Sequence, residues 1–259
     1  MPVWDPARYL QFADDRARPF LDLIEQIPTK PDSIVDLGCG PGHLTRHLRA
    51  RWPDAEVLGI DSSTEMIERA IADNTDHFAN YDVGDVADWV PHRPVDLFLS
   101  NAAFQWVPNQ FEVITRLLGH LSDTGSVAIQ VPDNSDSAAH QALVDLADRP
   151  AYRDALSEVR RLPRIDPHEY LAFFAGKGLE VNAWSTTYLH VLHEPDPVFD
   201  WISGTGARPY LEALDDDLRA AFEDDLRALL TEAYPAQDYG TVFPFRRTFA
   251  VATLSALGR

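Results

Sequence analysis

The chain has 259 residues, 45% of them hydrophobic, with 22 basic against 41 acidic side chains and a formal net charge of −19. That length suits one α/β domain with a sizeable insertion, or at most two small domains, and the acidity argues against nucleic acid or an anionic membrane as partner. A single cysteine, Cys39, excludes an internal disulfide and fits a reducing compartment.

The opening Met-Pro-Val-Trp-Asp-Pro carries no basic segment leading into an apolar run, so no signal peptide is expected. No stretch approaches the ~18 apolar residues of a membrane helix, and a soluble, cytoplasmic protein is expected. Residues 6–27 read as one or two helices, with Phe20, Leu23, Ile24 and Ile27 at helical spacing. Ahead of them Trp4, Tyr9 and Phe12 alternate with Arg8, Arg16 and Arg18. This segment, about residues 1–30, is either a helix packed on a sheet with its arginines in solvent, or a lid whose aromatics and arginines line a substrate pocket.

Residues 33–42, Ser-Ile-Val-Asp-Leu-Gly-Cys-Gly-Pro-Gly, are the stretch around which the chain is organised. A short apolar strand carrying Asp36 breaks into glycines at 38, 40 and 42, and a helical pattern begins. Glycine serves where backbone turns with positive φ or where a ligand approaches the main chain without meeting a Cβ. A dinucleotide fingerprint, G-x-G-x-x-G, would need glycine at 43, where this chain has His43. The observed spacing, with an acid two residues ahead of the first glycine, resembles the D/E-x-G-x-G-x-G motif of class I S-adenosylmethionine (SAM)-dependent methyltransferases. Cys39, inside the loop, reads as small filler. His43 and His47 stand one helical turn apart on the next helix, 43–51, but with no third ligand nearby in sequence no metal site is expected.

The second strand, 55–60, ends at Asp61, 19 residues past Gly42, the separation of an acid that reaches a ribose hydroxyl. Ser62, Ser63 and Thr64 are available to cap the following helix, leaving Asp61 for a ligand. A third strand at 77–82 leads to Gly-Asp-Val-Ala-Asp-Trp at 84–89. Asp85 is placed to meet an adenine amino group, with Asp88 as its rival and Val86 or Trp89 against the ring. The fourth strand, 95–100, is nearly continuous in apolar residues and so buried on both faces. Asn101 follows it, where sulfonium and substrate should meet, with Gln105 and Trp106 behind. A helix at 110–121, a turn at 122–125 and a strand at 126–131 complete a doubly wound parallel sheet.

The second half predicts helices at 138–160 and 167–176, a strand at 178–192 with Tyr188 and His190, and helices at 195–203 and 215–233. Between those two helices lies Gly-Thr-Gly-Ala-Arg-Pro-Tyr, 204–210. Arg227 falls on the polar face of the long acidic helix, as a solvated charge. Residues 241–254 form the last strand, in an antiparallel final hairpin with a helical cap inserted between its strands. The expected division is a lid (1–30), a Rossmann-like SAM-binding core (31–134) and a sheet-completing segment with the cap (135–259).

Over nearly its full length the chain resembles one family, the trans-aconitate 2-methyltransferases. The resemblance rests on Trp4-Asp5-Pro6, the glycine loop, Ile60-Asp61-Ser62-Ser63, Asn101-Ala102 with Gln105-Trp106, and Gln130-Val131-Pro132 with Asn134. It continues in Thr186-Thr187-Tyr188 with His190, Trp201-Ile202, Thr205-Gly206 with Arg208-Pro209, and Phe243-Pro244-Phe245-Arg246. It implies methyl transfer from SAM to one carboxylate of a small tricarboxylate. It also implies a cofactor site of Asp36, Gly38, Cys39, Gly40, Gly42, Asp61, Ser62, Asp85, Val86 and Asn101. Asn101, Gln105 and Trp106 would position the reactants, with no general base needed. Candidates to hold the non-reacting carboxylates are Arg16, Arg18, Arg208 and Arg246, with Tyr188 and His190 as further donors. A monomer or weak homodimer is expected. Another carboxyl methyltransferase, or a SAM-binding sensor without turnover, would share the cofactor half.

Overall fold

The computed structural model describes residues 13–159, 161, 165–193 and 195–254. Helix α1 (Ala13–Glu25) leads into β1 (Ser33–Leu37), α2 (Thr45–Arg51), β2 (Glu56–Asp61), α3 (Thr64–Asp73), β3 (Ala79–Val83) and β4 (Val95–Asn101). A 3₁₀ turn at Phe104–Trp106 precedes α4 (Gln110–Leu118), β5 (Leu121–Pro132), α5 (Ala138–Ala147) and α6 (Pro167–Ala175). Then come β6 (Leu179–Leu192), α7 (Pro197–Ser203), α8 (Arg208–Ala213), α9 (Asp216–Ala233) and β7 (Thr241–Leu254).

Local chemistry accounts for these boundaries. Ser63 caps α3 by accepting from Met66 N at 3.3 Å, and Met66, Ile67 and Ala70 are its buried face. Asp166 and Glu169 close a capping box around α6, with Pro167 pre-set at its first turn. Asp215 caps α9, whose first turn holds Asp216 and Asp217 against the positive end of the dipole.

The strands form one seven-stranded sheet in the order β3-β2-β1-β4-β5-β7-β6. Pairings from β3 through β5 are parallel, and β7 runs antiparallel to β5. Chain order reverses between β1 and β4, so the ligand crevice of a doubly wound sheet falls at the carboxyl ends of those two strands. Leu97, Leu99, Ile129 and Val131 in the middle of the sheet are fully buried, in keeping with the largely apolar runs that hold them.

Several boundaries differ from the sequence reading. β5 begins at Leu121, because the segment read as a turn continues the strand. α5 stops at Ala147, and a separate short helix, α8, occupies part of the segment read as a connection. Trp4, Arg8, Tyr9 and Phe12 lie outside the described residues, as does the side chain of Arg16.

The chain divides into two compact units: the described residues within 3–132, 165–186 and 247–259, and those within 133–164 and 187–246. In the second unit α7, α8 and α9 fill the stretch between β6 and β7, and Trp201 packs against Phe243, Phe245 and His190. Arg227 belongs to this packing. Its guanidinium lies 3.9 Å over the Phe199 ring and pairs with Asp196, Glu223 and Asp224, so it is no simple solvated charge.

Candidate functional site

In the first unit the turn after β1 is held by backbone bonds. Gly38 N and Cys39 N both donate to Ile60 O, at 2.7 and 3.1 Å. All three loop glycines have positive φ: 77°, 56° and 73° at Gly38, Gly40 and Gly42. They differ in what a side chain would meet. A Cβ on Gly38 would sit 2.3 Å from Ala103 Cβ, and one on Gly42 would strike the Tyr81 ring at 2.8 Å. A Cβ on Gly40 would meet nothing within 4 Å among the described residues. Two glycines therefore let protein pack closely, and the third leaves backbone open to a ligand.

Asp61, at the end of β2, braces that open glycine. Its Oδ2 accepts from Gly40 N at 2.9 Å and its Oδ1 from Ser63 N at 2.9 Å. The sequence reading left this carboxylate unengaged; the structure joins it to both loops. Together with the Ser62 amide these contacts take three of the carboxylate's roughly four acceptor positions, leaving one for a ribose hydroxyl. Burial raises the Asp61 pKa, against the lowering effect of the Ser63, Gly40 and Ser62 amides. Asp36 is deeper still, and desolvation together with the nearby Asp61 charge pushes its carboxyl up to about 7. Two desolvated acids side by side favour a cationic ligand, as a sulfonium with an ammonium group is.

Cys39 is buried, its thiol pushed up by burial and then by Asp36 and Asp61, which makes it filler and not nucleophile. In the loop after β3, Asp85 Oδ1 accepts from Ala87 N at 2.8 Å, Val86 is buried, and Asp88 is exposed. This loop is clamped by Arg116, which donates to Ala87 O at 2.8 Å and Val86 O at 3.1 Å. Sequence inspection had passed over Arg116, because a cation on a helix face carries no signal of what it reaches.

Beyond β4 the backbone is strained. Ala102 has φ 58°, a left-handed conformation uncommon for a residue with a Cβ, and such strain clusters at functional sites. Ala102 N donates to Gln130 O at 2.8 Å, and Ala102 O accepts from Gln105 Nε2 at 2.7 Å. Gln105 is buried and shapes the turn, while Trp106 is half-buried. Asn101 Oδ1, Gln105 Oε1 and Gln130 Nε2 are buried atoms that find no hydrogen-bond partner among the described residues. Gln130 and Arg247, which joins it, were not among the sequence candidates. The visible hint was one amide interrupting Val-Ala-Ile-Gln-Val.

Arg18, in this unit, is exposed. In the second unit Arg246 pairs with Asp133 at 3.0 Å and Asp136 at 3.1 Å, and Arg208 with Glu212 at 2.6 Å. Tyr188 and His190 are buried there, their rings 6.4 Å apart.

A family model described as a methyltransferase domain matches residues 9–183. The chain is 45% identical over 262 aligned residues to the trans-aconitate 2-methyltransferase of Streptomyces coelicolor, covering 97% of this chain and 86% of that protein. It is 43% identical to the Rhodococcus jostii enzyme of the same name, covering 96% and 99%, and 38% identical to that of Mycobacterium tuberculosis, covering 99% of each. Among solved structures, a chain of the complex between the Haloferax volcanii Trm112 methyltransferase activator and a methyltransferase aligns with TM-score 0.60 at 19% identity, covering 98% of this chain and 95% of that one. The YcgJ protein of Bacillus subtilis aligns with TM-score 0.56 at 13% identity, covering 93% and 98%. At such identities these structures establish the shared fold.

Proposed function

The chain belongs to the trans-aconitate 2-methyltransferase family, and on that premise we propose that it transfers the methyl group of SAM to one carboxylate of trans-aconitate, giving the monomethyl ester and S-adenosylhomocysteine. The observation that carries the cofactor half is Gly40, open to a ligand on one side and tied to Asp61 on the other. The names of relatives matched along nearly the whole chain support the substrate.

The residues present fit SAM. Gly38, Cys39, Gly40 and Gly42 would cradle its amino-acid portion, with Asp36 beneath. Asp61 and Ser62 would take the ribose, Asp85 and Val86 the adenine, and Asn101 the neighbourhood of the sulfonium. When bound, SAM supplies an electrophilic methyl group on a positively charged sulfur. The protein's part is to bind and orient. A carboxylate of pKa about 4 is already ionised at neutral pH, so no general base is required and alignment carries the rate enhancement. Asn101, Gln105 and Trp106 are the positioning residues in this reading. Arg16, Arg18, Arg208, Arg246, Tyr188 and His190 are proposed to hold the non-reacting carboxylates, arginine suiting them by its planar fork. No described helix is long and apolar enough to cross a membrane. A cytoplasmic location and a monomer or weak homodimer are part of the proposal, and the −19 charge favours a small-molecule substrate over nucleic acid.

Incubation of the purified protein with SAM and a panel of di- and tricarboxylic acids tests the proposal by mass spectrometry. Trans-aconitate should yield a product one methylene heavier together with S-adenosylhomocysteine. Tight SAM binding with no ester from any acid would identify a sensor instead.

A further inference from the structure

Strand register places a graded row of polar side chains along one face of the sheet at its carboxyl rim. Asp36 pairs with Gly59 on β2 and with Leu99 on β4. Since side chains alternate along a strand, Asp61 and Asn101, two residues further on, share the face of Asp36. Asn101 pairs with Gln130 on β5, and Gln130 with Phe249 on β7. Arg247, two residues before Phe249, therefore also lies on that face, opposite the last residue of β5. The contact agrees with the register: Arg247 Nη1 donates to Gln130 Oε1 at 3.1 Å, with both side chains buried. Across the sheet the row reads acid, acid, amide, amide, guanidinium.

This order has a chemical meaning. The acidic end, on β2 and β1, suits a cationic cofactor. The amides on β4 and β5 present Asn101 Oδ1 and Gln130 Nε2, polar atoms buried and unmatched among the described residues. A buried polar atom left without a partner is destabilising, so their persistence points to a ligand that completes them. Level with Gln130 on the same face, Phe249 stacks on Trp184 with centroids 4.8 Å apart, an apolar wall beside the amides. β4 and β7 are two strand spacings apart, roughly 10 Å, which a tricarboxylate and the reach of a guanidinium together span.

Resting on the function proposed above, we propose that Arg247 binds a non-reacting carboxylate of the substrate and that Gln130 holds its guanidinium toward that carboxylate. The reacting carboxylate then lies toward Asn101, at the border between the acidic and basic ends of the row. A fixed cation at one end and two acids at the other orient a polyanion in one direction only, which sets the choice among its carboxylates.

Two variants test this, with trans-aconitate affinity measured by calorimetry on the S-adenosylhomocysteine complex alongside turnover. Gln130→Glu is nearly isosteric and puts a carboxylate about 3 Å from Arg247 Nη1, where the amide oxygen now stands. It should leave S-adenosylhomocysteine affinity within twofold and the melting temperature no lower, yet weaken trans-aconitate binding more than tenfold. Arg247→Met keeps the stem and removes the charge, and should raise KM by more than tenfold. It should also flatten the preference for a tricarboxylate over a monocarboxylate of the same skeleton. Should Arg247→Met fail to fold, Gln130→Glu alone decides. Wild-type-like trans-aconitate affinity in Gln130→Glu, or in a folded Arg247→Met, overturns the assignment while leaving the proposed function standing. A wild-type protein that binds S-adenosylhomocysteine but neither binds nor methylates any carboxylic acid overturns that function and this assignment together.

Discussion

The backbone N–H of Gly40 donates to Asp61 Oδ2 at 2.9 Å, joining two segments 21 residues apart in sequence. One carboxylate thereby fixes the loop that would hold the amino-acid portion of SAM and stands ready for the ribose. Asp61→Ala should weaken SAM binding by about 1.5–3 kcal/mol, the worth of hydrogen bonds to a charged group. Asp61→Asn, which keeps one acceptor oxygen, should fall between. Calorimetry showing native affinity in a folded Asp61→Ala protein would contradict the role.

The loop glycines should separate binding from folding. Gly40→Val meets open space among the described residues but carries a branched side chain at φ 56°, so it should abolish SAM binding while the protein still folds at a cost of about 1–2 kcal/mol. Gly38→Ala, by contrast, drives a Cβ to within 2.3 Å of Ala103 and should lower the melting temperature strongly. If Gly40→Val retains SAM affinity, the open side of the loop is not where the cofactor sits.

Asp36 makes apo stability depend on pH. Its folded pKa is about 7, above the ordinary carboxylate value, so ionisation disfavours the folded state. The penalty is absent below about pH 4, grows as pH rises toward 7 and is complete above it, with a ceiling of about 4 kcal/mol. Asp36→Asn should therefore be more stable than the parent at pH 8 in urea titrations without cofactor, with the gap closing toward pH 4. A gap that widens on acidification would reverse the sign and reject the buried-acid description.

Ala102 holds a left-handed conformation beside Asn101. Glycine adopts that geometry without strain, so Ala102→Gly should be neutral or stabilising by up to about 1 kcal/mol in urea unfolding. The looser turn should lower kcat for methyl transfer, since Asn101 is carried by it. A loss of more than about 1 kcal/mol would show that the strained turn is stabilised by packing not evident at the Ala102 backbone.

Arg246 has a structural duty that its proposed substrate role must be measured against. It pairs with Asp133, whose side chain is 1% exposed, and removing it takes a cation away from a buried carboxylate. Arg246→Ala should cost about 2–3 kcal/mol of stability, below the roughly 3–5 of a fully buried pair because the guanidinium is 27% exposed. Arg69→Ala, which breaks an exposed helical pair with Asp73, is the better control than Arg227→Ala and should change stability by less than about 0.5 kcal/mol. Equal melting temperatures for the Arg246 and Arg69 variants would show that the buried pair contributes nothing.

Local chemistry written in the chain was enough for the strand–glycine loop–helix at Asp36 to Gly42, the acid at Asp61 and the alternation of strands and helices. Each rests on a short pattern: positive φ, an apolar run, a capping residue. The family resemblance was equally visible, because its motifs are contiguous. What no short pattern contains is strand register. Arg246 and Arg247 are neighbours with the same side chain, and sequence inspection singled out the first. Antiparallel pairing with β5 puts Arg247 opposite Pro132 and onto Gln130, while Arg246 turns to Asp133 and Asp136. Alternation along a strand sends adjacent residues to opposite faces, and only the tertiary pairing of β7 with β5 decides which of the two joins the row that begins at Asp61.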